Sequence, residues 1–122
     1  MPGALRALPP PSVDGKLQMT WVRACPVNEI DAEDVARFDH VGRTFAIYRT
    51  RSDEFYCSDG RCSHQQEHLA GGLLTGHVIE CPKHNGRFDI RTGHAVRRPA
   101  SVTLGTYPAR AENGFVWVQL QD

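Results

Sequence analysis

Hydrophobic and β-branched side chains recur along this chain in short runs, most of them alternating with polar positions. TWVRACPV (20–27), VARFDHV (35–41), RTFAIYRT (43–50), EFYCS (54–58), HVIEC (77–81), RFDI (87–90), VTLGTYPARAE (102–112) and FVWVQL (115–120) read as strands. Turn residues separate them. Asn113-Gly114 supplies the positive backbone angles of a tight hairpin, and Val41-Gly42 and Ser52-Asp53 mark two earlier turns. The one helix candidate, DAEDVAR (31–37), is short and gives way to a strand pattern. Residues 1–18 hold Pro2, Pro9, Pro10 and Pro11 with little patterned apolar content and are expected to form a disordered leader. The pattern predicts an all-β protein with one domain over 19–122.

Composition narrows the function classes. A chain of 122 residues with 40% hydrophobic content favours one compact domain with a single core over two smaller domains. Fourteen basic residues balance 14 acidic ones, so nothing in the overall charge points to nucleic acid or an anionic membrane. No apolar run approaches the roughly 20 residues of a spanning helix, and the first residues show neither a signal-peptide core nor a twin-arginine pair. These features predict a soluble, cytoplasmic protein, and a chain this small is expected to be monomeric. In a reducing cytosol the four cysteines point to metal or redox chemistry rather than disulfides.

Only Cys62 and Cys81 have a histidine close by, in RCSH (61–64) and CPKH (81–84). Cys25 and Cys57 stand alone in apolar stretches and read as small buried hydrophobes. In an extended segment, residues two apart face the same side about 7 Å apart. Cys62 and His64 can therefore address neighbouring metal positions from one loop, and Cys81 and His84, with Pro82 shaping the turn, can do so from another. Mononuclear zinc with two Cys and two His is one solution, but zinc-finger ligands come as Cys–Cys followed by His–His. Here each loop carries one of each kind. That order suits a two-iron cluster in which one iron keeps both cysteines and the other takes both histidines. His40, His68, His77 and His94 each read as surface or packing histidines, with His68 near enough to the first loop to tune it or touch a partner.

The stretch CSHQQEHLAGGLLTGHVIECPKHNGRFDIRTGHAVRRPA (62–100) resembles the Rieske pattern of C-x-H, about 16 residues, C-P-x-H, then F-D, T-G and a proline. Cys62, His64, Cys81, Pro82, His84, Phe88, Asp89, Thr92, Gly93 and Pro99 fill it. HNGRFDIRTG and YPARAENG look most like the small Rieske ferredoxins of bacterial aromatic-ring dioxygenases, naphthalene type included. The resemblance implies an antiparallel β-sandwich with a small cluster-binding subdomain at about 60–99, and one [2Fe-2S] cluster on Cys62, His64, Cys81 and His84. It also implies that Gly71, Gly72, Gly76 and Gly93 make tight turns near the cluster and that Pro99 heads a shielding loop.

The same resemblance implies a function. Such a protein is not catalytic alone. It carries one electron from a flavoprotein reductase to a terminal oxygenase, docking through charges such as Arg61, Lys83, Arg87, Arg97 and Arg98. High-potential Rieske proteins have two extra cysteines where this chain has Glu67 and Lys83. They also have serine and tyrosine donors where it has Gly86 and Phe88, so the potential is expected at the low end of the range. In the family the two ligand imidazoles reach the surface, which implies a midpoint that falls with pH above their oxidised-state pKa. Two rivals stay in view: the small Rieske subunit of a nitrite-reductase-type complex, and a zinc-stabilised β-domain that only binds partners.

Overall fold

The computed structural model describes residues 19–62, 67–82, 86–97 and 103–121; the expected leader over 1–18 lies outside them. Among the described residues the strands in chain order are β1 Met19–Pro26, β2 Asp34–His40, β3 Arg43–Arg49, β4 Phe55–Asp59, β5 Leu73–Thr75, β6 Val78–Glu80, β7 Arg87–Asp89, β8 Ala95–Arg97, β9 Thr106–Tyr107, β10 Ala109–Glu112 and β11 Phe115–Gln121. They pair antiparallel into three sheets, ordered β1-β11-β10, β2-β3-β4-β9 and β5-β6-β7-β8. The fold is all-β. None of the described helices is long and apolar enough to cross a membrane.

β3 explains the layering. Four consecutive side chains, Phe45 to Tyr48, are fully buried on it, and side chains on a strand alternate between faces. Phe45 and Ile47 join Ile30, Cys57, Val116, Val118 and Leu120 in one apolar cluster. Ala46 and Tyr48 join Leu69, Leu74, Ile79, Phe88 and both motif cysteines in the other. The expected single core is thus two, and the middle sheet is their shared wall, with the long-stranded sheet on one side and the small β5–β8 sheet on the other. Burying each large apolar side chain is worth about 1.5–3 kcal/mol, so β3 holds both cores together. The Tyr48 hydroxyl donates to Ser58 Oγ at 2.8 Å, and Ser58 Oγ in turn donates to the Asp59 carbonyl at 2.9 Å, which satisfies the polar groups buried there.

The predicted turns form as the backbone requires. Asn113 and Gly114 have φ of 54° and 83°, and Val41 and Gly42 have 48° and 75°, so both two-residue hairpins have positive φ at both central positions. Asp53, at φ 64°, turns the chain between β3 and β4 and pairs with Arg49 at 2.9 Å. Gly93, at φ 80°, packs so closely on the Leu104 carbonyl that any Cβ would collide with it. The DAEDVAR helix does not form. Glu33 takes a left-handed conformation at φ 57°, and β2 starts at Asp34 and pairs with β3 along all seven of its residues. β5 and β8, three residues each, were not legible as strands; they exist by pairing with β6 and β7.

Two carboxylates fasten the small sheet to the rest. Glu33 accepts from the Gly76 amide at 3.3 Å and from Arg51, while Glu54 accepts from His77 Nε2 at 2.9 Å. Both therefore grip the turn between β5 and β6. The hydrogen bond from His77 is the main reason the Glu54 carboxyl titrates below its ordinary range. A lowered native pKa stabilises the fold fully above the unfolded value of about 4.3 and stops doing so as pH falls through the native value. Glu54→Gln should therefore melt below the wild type at pH 7, with the gap closing below about pH 4 in thermal melts across pH. Val41 is 84% exposed and β-branched in a left-handed conformation. Val41→Asn should relieve about 1 kcal/mol and raise the melting temperature by a few degrees.

Candidate metal centre

The two motif cysteines stand at matching places in two loops. β4 runs into Gly60, whose amide donates to the Thr44 carbonyl of β3 at 3.0 Å, and then to Cys62. The Cys62 amide donates to the Glu67 carbonyl at 2.9 Å, and Arg61 and His68 form an antiparallel bridge. β6 runs directly into Cys81, whose amide donates to the Gly86 carbonyl at 2.7 Å just before β7. Each cysteine is therefore the first residue of a loop closed from its own amide to the carbonyl five residues on. The closed segments contain His64 and His84, which lie outside the described residues, as do Lys83, Arg98 and Pro99.

Packing brings the two loops together. A 3-10 turn at Leu69–Gly71 ends the first loop, and Gly71 lies against the Pro82 ring that follows Cys81. Gly72 approaches the Glu80 carbonyl so closely that a Cβ would clash with it. Of the glycines expected to serve tight turns, Gly72 and Gly93 are required by close backbone contact, whereas Gly76 has a positive φ of 60° with open space beside it. Cys62 and Cys81 are only 4% and 1% exposed and share one apolar cluster with Leu69, Leu74, Ile79 and Phe88. Both remain thiols.

This donor set fits an iron–sulfur group. Two thiols in a dry apolar wall, each opening a loop that contains an imidazole, can present sulfur to an inner iron and nitrogen to an outer one. Among the described residues no group of three or more His, Cys, Asp or Glu is placed to hold a metal. The remaining donors of the predicted set are the two histidines outside them. Cys57, by contrast, is buried in the opposite cluster, and burial pushes its thiol pKa far up. Cys25 is half-buried on β1, with burial and then Glu29 raising its pKa. Neither thiol has the thiolate character that metal binding or redox reactivity needs.

The other histidines have structural partners. His40 stacks on Phe38, and His77 pairs with Glu54 and meets the edge of Tyr56. The His94 backbone closes the turn before β8 by accepting from the Asp89 amide at 2.9 Å. His68 caps the 3-10 turn and bonds Thr44. The charges expected around the site divide. Arg87 is tied to Glu80 at 3.2 Å on the outer face of the small sheet, while Arg61 lines a cleft of about 390 Å³ with Arg37, Asp39, Arg43 and Thr44. Sequence reasoning missed Arg37, Arg43 and Thr44, because only the β2–β3 register brings them beside the first loop.

Comparison with known proteins identifies the family. Residues 20–108 match the family model described as Rieske [2Fe-2S] domain. The ferredoxin component of a Pseudomonas putida naphthalene 1,2-dioxygenase system is 35% identical over 104 residues, covering 85% of this chain and 99% of that protein. Among solved structures, a chain from a complex of reduced oxygenase and oxidized ferredoxin in carbazole 1,9a-dioxygenase superposes with a TM-score of 0.74 at 33% identity, covering 80% of this chain and 91% of the other. A nitrite reductase small-subunit protein from Mycobacterium tuberculosis superposes with a TM-score of 0.75, covering 84% of this chain and 96% of the other, but at 16% identity it shows only a shared fold. The chain belongs to the Rieske [2Fe-2S] family, and its cofactor is one cluster of that type.

Proposed function

We propose that this chain carries single electrons from a flavoprotein NAD(P)H-dependent reductase to the terminal Rieske non-haem iron oxygenase of an aromatic-ring dioxygenase system. Cys62 and Cys81 hold the inner iron through sulfur, and His64 and His84 hold the outer iron through nitrogen. The stretch from about 60 to 99 is the cluster-binding part of one domain spanning 19–122. The observation that carries this reading is the pair of matched cysteine loops in a chain that aligns along nearly the whole length of a dioxygenase ferredoxin component. Such a protein is an electron-transfer component and is not catalytic alone.

The cluster supplies reversible one-electron chemistry, and this chain's residues set the conditions for it. Leu69, Leu74, Ile79 and Phe88 keep water from the thiolates, and the twin loop closures hold the two sulfurs against one wall. A carrier must meet two partners in turn, so its contacts are small and steered by charge. The nitrite-reductase reading rests on fold alone and is not favoured by any feature of the site.

Electron flow tests the proposal directly. With the reductase and oxygenase of its own system, the purified holoprotein should restore NAD(P)H-dependent substrate oxidation, while Cys81→Ser should abolish it. No stimulation by the wild-type protein, although it contains cluster, would contradict the carrier role. The potential gives a second check. Phe88 is fully buried within the thiol-bearing cluster and offers no hydroxyl, so the midpoint should lie near the low end of the Rieske range, about −150 mV. Phe88→Tyr should raise it. A redox titration placing the wild type above about +100 mV would contradict this account of the site.

A further inference from the structure

His68 stands at the foot of the first cysteine loop, and its hydrogen bonds leave its proton only one position. Its Nδ1 lies 2.9 Å from the Ala70 amide, and a backbone N–H can only donate, so Nδ1 is the bare nitrogen of a neutral ring. The proton is therefore on Nε2, which lies 2.8 Å from Thr44 Oγ1. Thr44, accepting that proton, directs its own hydroxyl to Asp39 Oδ1 at 2.6 Å, and Asp39 also receives Arg37 Nε at 3.0 and 3.3 Å. The chain of donors runs in one direction, from the loop into the β2–β3 hairpin.

The surrounding backbone is built for this ring. A Cβ at Gly60 would come within 2.5 Å of His68 Nε2 and about as near to the Phe45 backbone as packing allows, at 3.0 Å. The glycine of GRCSH therefore leaves the seat that the ring fills. Gly60 itself hangs from the Thr44 carbonyl by its amide and receives the Leu69 amide at 2.7 Å. The outgoing arm of the loop is thus pinned to β3 through backbone, and the return arm is pinned to the same residue, Thr44, through the His68 side chain. The ring is favoured neutral in this setting, first by burial and then by Arg37 and Arg61, with Asp39 opposing them.

We propose that His68 is a positioning residue. As a neutral Nε2–H imidazole it locks the return arm of the Cys62 loop to Thr44 of β3, and so fixes the geometry that this loop imposes on its share of the cluster. It is no ligand and touches no reacting atom. Its role matters for an electron carrier because a loop held at both arms changes little between oxidation states. The effect on the cluster rests on the carrier reading above, whereas the lock itself does not.

Two variants break the same bond from opposite sides. His68→Asn keeps an oxygen able to cap Ala70 but gives up the reach to Thr44, and Thr44→Val keeps the cap but removes the hydroxyl. Amide hydrogen exchange of the purified protein, read by mass spectrometry, should rise about tenfold over 60–70 in either variant and stay at wild-type level over β5–β8. The double variant should exchange no faster than either single one, and Thr44→Ser should restore protection. In holoprotein the reduced-state paramagnetic resonance spectrum should shift or broaden in both single variants at unchanged iron content. Wild-type exchange in both variants, or an effect of His68→Asn that Thr44→Val does not share, would overturn the lock. Altered exchange with an unchanged spectrum would overturn the cluster-positioning role. A wild-type protein that binds no two-iron cluster would sink the carrier reading and leave the exchange result standing.

Discussion

Everything at the metal end of this protein depends on how β3 divides its side chains. Because strand side chains alternate, Phe45 and Ile47 are committed to one core and Ala46 and Tyr48 to the other. The second core is where Cys62 and Cys81 are buried. The small β5–β8 sheet is too short-stranded to make a core alone, and it closes over the sulfurs only because the far face of the middle sheet is apolar. A one-residue slip of β3 against β2 or β4 would turn both sets of side chains around at once. The site is therefore an outgrowth of the sandwich's own register, and the tight hairpin at Val41-Gly42 that sets this register contributes to function from a distance.

Within that frame the twin closures of the loops have a simple physical purpose. Thiols buried among Leu69, Leu74, Ile79 and Phe88 are costly to ionise unless a cation takes them. With the proposed ligands an iron ion would supply that charge, and the same apolar wall that makes a free thiolate unfavourable would keep the bound one dry and well held. Holding two loops at a fixed spacing would also limit how far the proposed ligands move when charge changes. The extra fastenings, Glu33 and Glu54 on the β5–β6 turn and His68 on the first loop, all oppose motion of this end relative to β3.

The sequence disclosed the strands wherever alternation ran for five residues or more, and it disclosed the hairpins wherever a turn needed positive φ. β5 and β8 stayed hidden because LLT sits between glycines and AVR runs into Arg98-Pro99, so neither shows the alternation that marked the equally short β6 and β7. The DAEDVAR segment misled because charged and alanine residues favour a helix locally, whereas Val35 is drawn into the core opposite Tyr48. The two Cys–His pairs stood out as candidate ligands because metal ligation demands particular residue types at short spacing. Thr44, Arg37 and the His68 lock were not legible in the same way. Their significance arises from pairing between β2, β3 and a loop more than 20 residues away, and no local pattern records it. The close approach behind Gly72 was likewise visible only as a glycine, without its reason.

The central claim is that two cysteine sulfurs and two histidine nitrogens of one chain hold a two-iron unit. Electron–nuclear double resonance on the reduced protein, produced with ¹⁵N-histidine and assayed for iron, tests it most directly. The account predicts two irons per chain and two coordinated histidine nitrogens, with one coupling lost in either His64→Cys or His84→Cys. A single metal per chain, or a reduced centre with no coupled histidine nitrogen, would contradict it.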